Sequence, residues 1–130
     1  EPKDIVHELG RKYIGVGFGH SFKKWLRDSD PQPYGSMGNG SAMRVSAIGV
    51  TADALRDTLR LAKESAIITH NHPEGIKGAQ AVATAVFLAY QGFHKECIKE
   101  YIENEFGYDL SRTINSIRKD YVMEAFQKLL

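Results

Sequence analysis

The sequence predicts an all-α protein, a bundle of six to eight helices in one domain. Apolar residues recur every three to four positions along most of the chain, which is the spacing of one helix face. No segment shows the sustained apolar–polar alternation of a half-buried strand. The 130 residues and 42% hydrophobic content suit a single core, so we expect residues 1–130 to form one domain.

The N-terminal third predicts two short helices and a loop. Apolar residues four positions apart, at Ile5, Leu9 and Tyr13, predict a helix beginning near Pro2. A second helix with core aromatic side chains is predicted by Phe18, Phe22, Trp25 and Leu26. Residues 28–39 are rich in Asp, Pro, Gly, Ser and Asn, which predicts a loop, and residues 41–50 predict a short third helix.

The middle of the chain carries the strongest helix signals. Residues 52–69 predict an amphipathic helix with Thr51 as its N-cap. Residues 73–90 are apolar on nearly every side, which predicts the buried central helix, and Gly92 follows as its C′ residue. The many alanines of this segment favour close approach of neighbouring helices.

The C-terminal third predicts three shorter helices. The first carries Ile98 and Ile102 and stops at Gly107. The second begins at Ser111 as a cap, and the third covers residues 122–129.

Charge and cysteine content exclude several classes of protein. Seventeen basic and sixteen acidic residues give a net charge of +1, so we expect neither nucleic acid nor an acidic membrane as partner. The single cysteine, Cys97, forms no internal disulfide and no thiolate metal site, and we expect it to be buried on an apolar helix face. No apolar run approaches the roughly 18 residues of a membrane span, and no signal peptide is evident, which favours a cytoplasmic protein. The first residue, Glu1, is compatible with a processed or trimmed N-terminus.

A glycine-rich segment is the first candidate site. Residues 35–44 (GSMGNGSAMR) place three glycines before a predicted helix, where backbone N–H groups can face an anion and Arg44 can add a positive charge. A plain inter-helix loop with tight turns explains the same residues. The local pattern leaves both interpretations open.

A histidine pair is the second candidate site. Residues 69–75 (THNHPEG) hold His70 and His72 near Glu74, but a helical zinc site needs His residues four positions apart. The two side chains can instead bond helix-end carbonyls, with Pro73 and Glu74 opening the next helix, or one His can contact a ligand held by the glycine-rich segment. A third pattern, Asp28 and Asp30, is typical of a turn before Pro31 rather than of a cation site.

Together, these motifs resemble the ADP-ribosylglycohydrolase family, which includes the dinitrogenase-reductase-activating glycohydrolases. The similar segments are residues 38–44 (GNGSAMR), residues 69–75 (THNHPEG), the following Gly78 on an alanine-rich helix, and residues 106–110 (FGYDL). The resemblance covers nearly the whole chain. It implies a compact orthogonal helical bundle, a shortened form of the family's core, that binds ADP-ribose or an ADP-ribosylated protein.

By resemblance, the ligand-binding residues are Gly35, Ser36, Met37, Gly38, Asn39 and His70. The family hydrolyses the bond at ribose C1 with Mg²⁺ or Mn²⁺, held by a Thr-Asp-Asp segment near the start of the chain and an Asp-x-Asp-Thr segment near its end. Neither segment occurs here, so we expect no metal ligands in this chain and assign no catalytic residue. The chain resembles the middle of the family's fold.

Three functions stay open on this basis. The first is metal-assisted hydrolysis, performed alone or with a completing chain. The second is ADP-ribose binding without catalysis. The third is a structural or interaction module in which another subunit, including a second copy, covers exposed apolar surface.

Overall fold

The computed structural model describes residues 1–127, with side chains as far as Asp120. Within that range the fold consists of eight helices and no strand, which confirms the all-α prediction. In chain order the helices are α1 (Pro2–Lys12), α2 (His20–Arg27), α3 (Gly40–Met43), α4 (Ser46–Thr51), α5 (Leu55–Ile67), α6 (Pro73–Tyr90), α7 (Lys95–Phe106) and α8 (Ile114–Gln127).

Helix α6 is the centre of the bundle, as its apolar composition predicts. It packs against α3, α4, α5 and α7. The side chains buried at its interfaces with α4 and α5 are small, and the innermost cluster consists of Val45, Ala62, Ala66, Ala79 and Ala83. Because alanine adds only a methyl group to the backbone, these helices approach one another closely.

Helix α4 lies almost directly on the backbone of α6. A Cβ atom added to Gly49 would lie 2.6 Å from the carbonyl oxygen of Ala83 and 2.7 Å from the Cβ atom of Val86. No side chain fits in that space, so glycine is required at this contact. The contact holds α4, and α3 just before it, against α6.

Two boundaries in the middle of the chain differ from the prediction. Residues 41–50 form two helices, α3 and α4, and the predicted cap Thr51 ends α4 instead of starting α5. Its hydroxyl donates to the carbonyl oxygen of Ala47 at 2.8 Å, and α5 begins three residues after Ala52. Helix α5 also ends early, at Ile67, because the N–H groups of Thr69 and His70 turn back to the carbonyl oxygen of Ala66.

In the C-terminal third, the structure confirms the predicted glycines after α6 and α7 and corrects one predicted N-cap. Gly92 and Gly107 adopt φ angles of 87° and 69° after α6 and α7. The predicted cap Ser111 is wrong, because its hydroxyl and N–H both donate to the carboxylate of Asp109. Thr113 accepts the N–H of Ser116 instead, and the two predicted helices are one helix, α8. Leu129, which the predicted last helix includes, lies outside the described residues.

The apolar side chains of α1 and α2 differ in their exposure to solvent. Trp25 is buried, and its ring stacks on that of Phe22 with centroids 5.6 Å apart, as expected of a core residue. The apolar face of α1 is exposed instead, with Ile5, Leu9 and Tyr13 each more than half accessible. Cys97 is exposed as well, contrary to the prediction, because the face of α7 that carries it does not pack on α6. Within residues 1–127, no helix has the length and apolar character needed to cross a bilayer.

Candidate functional site

The two candidate segments meet in the structure. The carbonyl oxygen of Thr69 accepts hydrogen bonds from the N–H groups of Tyr34 and Ser36, both at 3.3 Å. The side-chain oxygen of Asn71 accepts the N–H of Gly35 at 2.7 Å. Residues 34–39, which we name the glycine loop, therefore lie across the turn between α5 and α6.

Two glycines allow this close packing. Gly35 has a φ of 62°, a left-handed conformation that a glycine adopts without strain. At Gly75, in the first turn of α6, an added Cβ would lie 2.8 Å from the carbonyl oxygen of Ser36 and 2.9 Å from the Cβ of His70. The hydroxyl of Ser41 donates to the carbonyl oxygen of Gly75 at 2.8 Å. The start of α6 thus forms the floor beneath the glycine loop.

His70 lies under the glycine loop rather than at its surface. Its side chain is only 4% exposed. Its Nδ1 atom lies 2.7 Å from the hydroxyl of Thr69, and its Cε1 and Nε2 atoms lie 3.3 and 3.5 Å from the position of a Cβ on Gly40. Burial lowers the pKa of His70, the positive charge of Arg44 lowers it further, and the backbone of Gly38 acts in the opposite direction. The imidazole is therefore held in its neutral form.

Arg44 does not extend toward a ligand, which corrects the role expected for it. Its Nη2 atom donates to the carbonyl oxygen of Ser65 at 2.5 Å and to the hydroxyl of Thr69 at 3.0 Å, and its Nε atom donates to the hydroxyl of Ser65 at 3.3 Å. The guanidinium therefore binds the C-terminal end of α5, where unpaired carbonyls favour a cation. The positive charge of Arg44 acts on the glycine loop at a distance, and its side chain does not obstruct the loop.

The second histidine caps a helix. Nδ1 of His72 accepts the N–H of Glu74 at 3.2 Å, so His72 is the N-cap of α6. The expected bonds from both histidines to helix-end carbonyls are wrong, because Pro73 opens α6 and the free group beside His72 is an N–H. Glu74 forms an ion pair with Lys77 at 2.9 Å.

The described residues contain no group of three or more His, Cys, Asp or Glu side chains arranged to hold a metal ion. The two aspartates that sequence singles out form a turn, in which Oδ1 of Asp28 accepts the N–H of Asp30 at 3.0 Å. This geometry is that of an Asx turn and agrees with the turn prediction.

The glycine loop presents its backbone to solvent. Met37 is 70% exposed at its tip, and Gly38 and Asn39 beside it are also exposed. The N–H of Gly38 turns inward to the hydroxyl of Ser36 at 3.2 Å. Among the described residues, no hydrogen-bond acceptor pairs with the N–H groups of Met37, Asn39 or Gly40. Two of these donors, at Met37 and Asn39, therefore lie on exposed loop residues, and the third lies at Gly40, the half-buried first residue of α3.

The structure thus brings together all six residues predicted to bind the ligand. Five of them, Gly35 through Asn39, lie in the glycine loop, where all but the half-buried Ser36 are exposed, and His70 supports the loop from below. Sequence reasoning assigned no role to the side chains of Thr69, Asn71 and Ser41 or to the small size of Gly75. The hydrogen-bond partners of Asn71 and Ser41 lie 34 or more positions away along the chain. Contacts between residues so far apart leave no periodic pattern in the sequence.

Comparison with known proteins finds a family model and individual relatives that match this chain. The model of the ADP-ribosylglycohydrolase family matches residues 4–129. The mouse (Mus musculus) ADP-ribosylhydrolase ARH3 is 31% identical over 122 residues, covering 81% of this chain and 32% of the relative. The bovine (Bos taurus) ADP-ribosylhydrolase ARH3 is 38% identical over 122 residues, covering 81% of this chain and 33% of the relative.

The human (Homo sapiens) ADP-ribosylhydrolase ARH3 is 33% identical over 106 residues, covering 68% of this chain and 29% of the relative. No solved structure matches the chain. The chain spans about one third of the length of the curated relatives that it matches. Since the family match extends over almost every residue, the chain belongs to the ADP-ribosylglycohydrolase family.

Proposed function

We propose that the glycine loop binds ADP-ribose, with His70 as its support. The observation that carries this proposal is the packing of the loop on residues 69–75. Within the part of the chain that the structure describes, it leaves the N–H groups of Met37, Asn39 and the adjoining Gly40 without hydrogen-bond partners. Backbone N–H groups gathered in a glycine-rich turn are suited to a diphosphate, because they donate several bonds without a bulky side chain. The nearby charge of Arg44 favours an anion at the same place.

The names of the similar proteins support the same ligand. Each of the mouse, bovine and human relatives is an ADP-ribosylhydrolase. The region that the family model matches includes the glycine loop and the 69–75 turn. On this basis ADP-ribose itself or an ADP-ribosylated protein is the ligand of this chain. The diphosphate contacts the backbone of residues 36–39, and the exposed Met37 side chain lies against a ring of the ligand.

Calorimetric titration with ADP-ribose tests this proposal. A charge introduced in the loop should oppose a diphosphate, so Asn39→Asp should weaken binding about tenfold or more, as expected for a like charge placed near the ligand. The matched control is Asn104→Asp, which makes the same change on an exposed position of α7. Absence of heat and of a thermal shift at millimolar ADP-ribose would refute the proposal.

Hydrolysis needs more than the described residues provide. Mg²⁺ or Mn²⁺ is the cofactor that the family implies, yet the side chains that the structure describes, as far as Asp120, offer no carboxylate cluster that fits such an ion. We therefore assign binding to this chain and propose hydrolysis of ADP-ribosylated side chains only where metal-binding segments complete the site. The second candidate, ADP-ribose binding without catalysis, rests on the same observation. Release of ADP-ribose from a modified protein in the presence of Mg²⁺ or Mn²⁺ by this chain alone would decide for autonomous hydrolysis.

The exposed face of α1 supports a protein partner. Ile5, Leu9 and Tyr13 expose 60%, 53% and 53% of their surfaces, and apolar side chains grouped on one helix face are typical of a contact with protein. Another protein chain, either a completing segment of the family's fold or a second copy, would cover them. Light scattering of the chain at several concentrations measures the second copy directly. We also propose a cytoplasmic location, which the lack of any disulfide partner for the single Cys97 favours.

A further inference from the structure

A chain of three polar side chains runs from the end of α5 to the glycine loop. Nη2 of Arg44 donates to the hydroxyl oxygen of Thr69 at 3.0 Å, and that hydroxyl lies 2.7 Å from Nδ1 of His70. Thr69 is fully buried and His70 is 4% exposed, so water does not compete for these bonds. The opposite side of the imidazole faces the backbone of Gly38 and Gly40.

The direction of each proton follows from the chemistry of the groups. A guanidinium only donates, so the hydroxyl oxygen of Thr69 must accept from Arg44. That hydroxyl has one proton of its own. If Nδ1 of His70 carried a proton and donated to the same oxygen, the hydroxyl proton would have no acceptor among the described residues, and an unpaired buried donor is unfavourable. The arrangement that satisfies every group has Thr69 donating to Nδ1.

We propose that Arg44 and Thr69 act as positioning residues that fix His70 as the tautomer protonated on Nε2. In this tautomer the Nε2–H group points to the backbone of the glycine loop and can donate to the carbonyl oxygen of Gly38. The loop is then held at its turn by a bond that the other tautomer cannot make, because that tautomer presents a lone pair to the same oxygen. Neither Arg44 nor Thr69 needs to touch a ligand for this effect.

The consequence for ligand binding rests on the proposed function. Holding Gly38 fixes the backbone of the exposed residues on either side of it, Met37 and Asn39, before a ligand arrives, so less ordering accompanies binding. Loss of the fixed tautomer should weaken ADP-ribose binding about threefold to tenfold, the range of one net hydrogen bond.

Nitrogen-15 NMR of histidine-labelled protein tests the proposal, because the two ring nitrogens of each tautomer have distinct chemical shifts. The His70 signals are assigned by their loss in His70→Gln. In the unsubstituted chain at neutral pH we expect His70 to show a single tautomer with its proton on Nε2. A proton on Nδ1, or an even mixture of both tautomers, would overturn the proposal without any variant being needed.

Two variants separate tautomer control from simple packing. Thr69→Val keeps the shape of the side chain and removes the hydroxyl, so the His70 signals should move to a mixture of tautomers. Thr69→Ser restores the hydroxyl and should restore the single tautomer. An unchanged His70 spectrum in folded Thr69→Val would contradict the proposal. If the unsubstituted chain fails to bind ADP-ribose at all, the proposed function fails, whereas the tautomer measurement stands independently.

Discussion

The side-chain oxygen of Asn71 accepts the N–H of Gly35 at 2.7 Å. The two residues are 36 positions apart, and the bond joins the start of the glycine loop to the turn before α6. A loop of irregular conformation offers this N–H group no backbone acceptor within its own segment. The side-chain oxygen of Asn71 supplies the acceptor instead. This bond adds to the two that the carbonyl oxygen of Thr69 accepts from the loop, and it is the one that an exposed side chain makes.

Asn71→Ala should detach that end of the loop. ADP-ribose affinity is expected to fall about threefold to tenfold, while the free energy of unfolding falls by about 1 kcal/mol, since only one exposed-site hydrogen bond is removed. Calorimetry and chemical denaturation measure the two quantities. Asn104→Ala on α7 is the matched control and should change neither. Equal affinities of the two variants would show that the bond does not position the loop.

Gly75→Ala should disturb the floor of the site. Its Cβ would lie within 3 Å of the carbonyl oxygen of Ser36 and of the Cβ atom of His70, so the loop must shift, at a cost of about 1–3 kcal/mol. Gly78→Ala is the control on the same helix, because its Cβ would meet only the hydroxyl of Tyr108 at 3.8 Å and should stabilise α6 by about 0.5–1 kcal/mol. Thermal unfolding of both variants gives the comparison, and a destabilised Gly78→Ala with an unaffected Gly75→Ala would contradict this description.

Arg44→Lys should destabilise the chain although it preserves the charge. A lysine ammonium cannot reproduce the fork that bonds Ser65 and Thr69 together, so one buried acceptor loses its partner at a cost of about 1–3 kcal/mol. Arg60→Lys is the control, because the ion pairs of Arg60 with Asp57 and Glu64 are exposed. Denaturant midpoints of the two variants test the difference, and equal midpoints would remove the structural role assigned to Arg44.

Stability should increase with pH through the range just below neutrality. Burial and Arg44 lower the pKa of His70 from its ordinary value of 6.5, so the unfolded chain binds a proton before the folded chain does. The stabilising contribution of neutral His70 is complete above pH 6.5 and is lost as the pH falls toward the lowered folded value. Tyr34, the other titratable group near the ring, stays neutral throughout because burial raises its pKa.

Urea denaturation between pH 4 and 8 measures this dependence. His70→Gln removes the titrating group, so its stability should vary less with pH over this interval than that of the unsubstituted chain. His94→Gln, at an exposed position before α7, is the control and should retain the original dependence. A pH profile that His70→Gln leaves unchanged would assign the effect to other groups.

The sequence predicts most helices because their signals are local. The bounds of α6 and the end of α7 at Gly107 follow from residues within a few positions of the boundary. Thr51 was misassigned because a threonine can cap the next helix or bond back to the preceding turn, and its bond to Ala47 is decided by how α4 packs on α6. The prediction that Cys97 is buried is wrong because the apolar positions of α7 extend beyond the one helix face that α6 covers.

The sequence predicts which residues form the candidate site, but it does not predict the hydrogen bonds between them. Residues 35–39 and His70 follow from motifs, and the structure places them together. The direction of Arg44 does not follow, since an arginine after a glycine loop is compatible with either a ligand or a helix end. Contacts between residues more than 20 positions apart in the chain decide between such alternatives.

The alanine-rich contact between α5 and α6 bears on how rigid the site is. Alanine has no rotamers to restrict, so burying Ala62, Ala66, Ala79 and Ala83 orders no flexible side chains. Thr69 and His70 follow the end of α5, and Gly75 lies at the start of α6, so the residues beneath the loop inherit the fixed spacing of these two helices. The surface proposed to bind ADP-ribose therefore lies on a base with little internal motion, so we expect little conformational entropy to be lost there when a ligand binds.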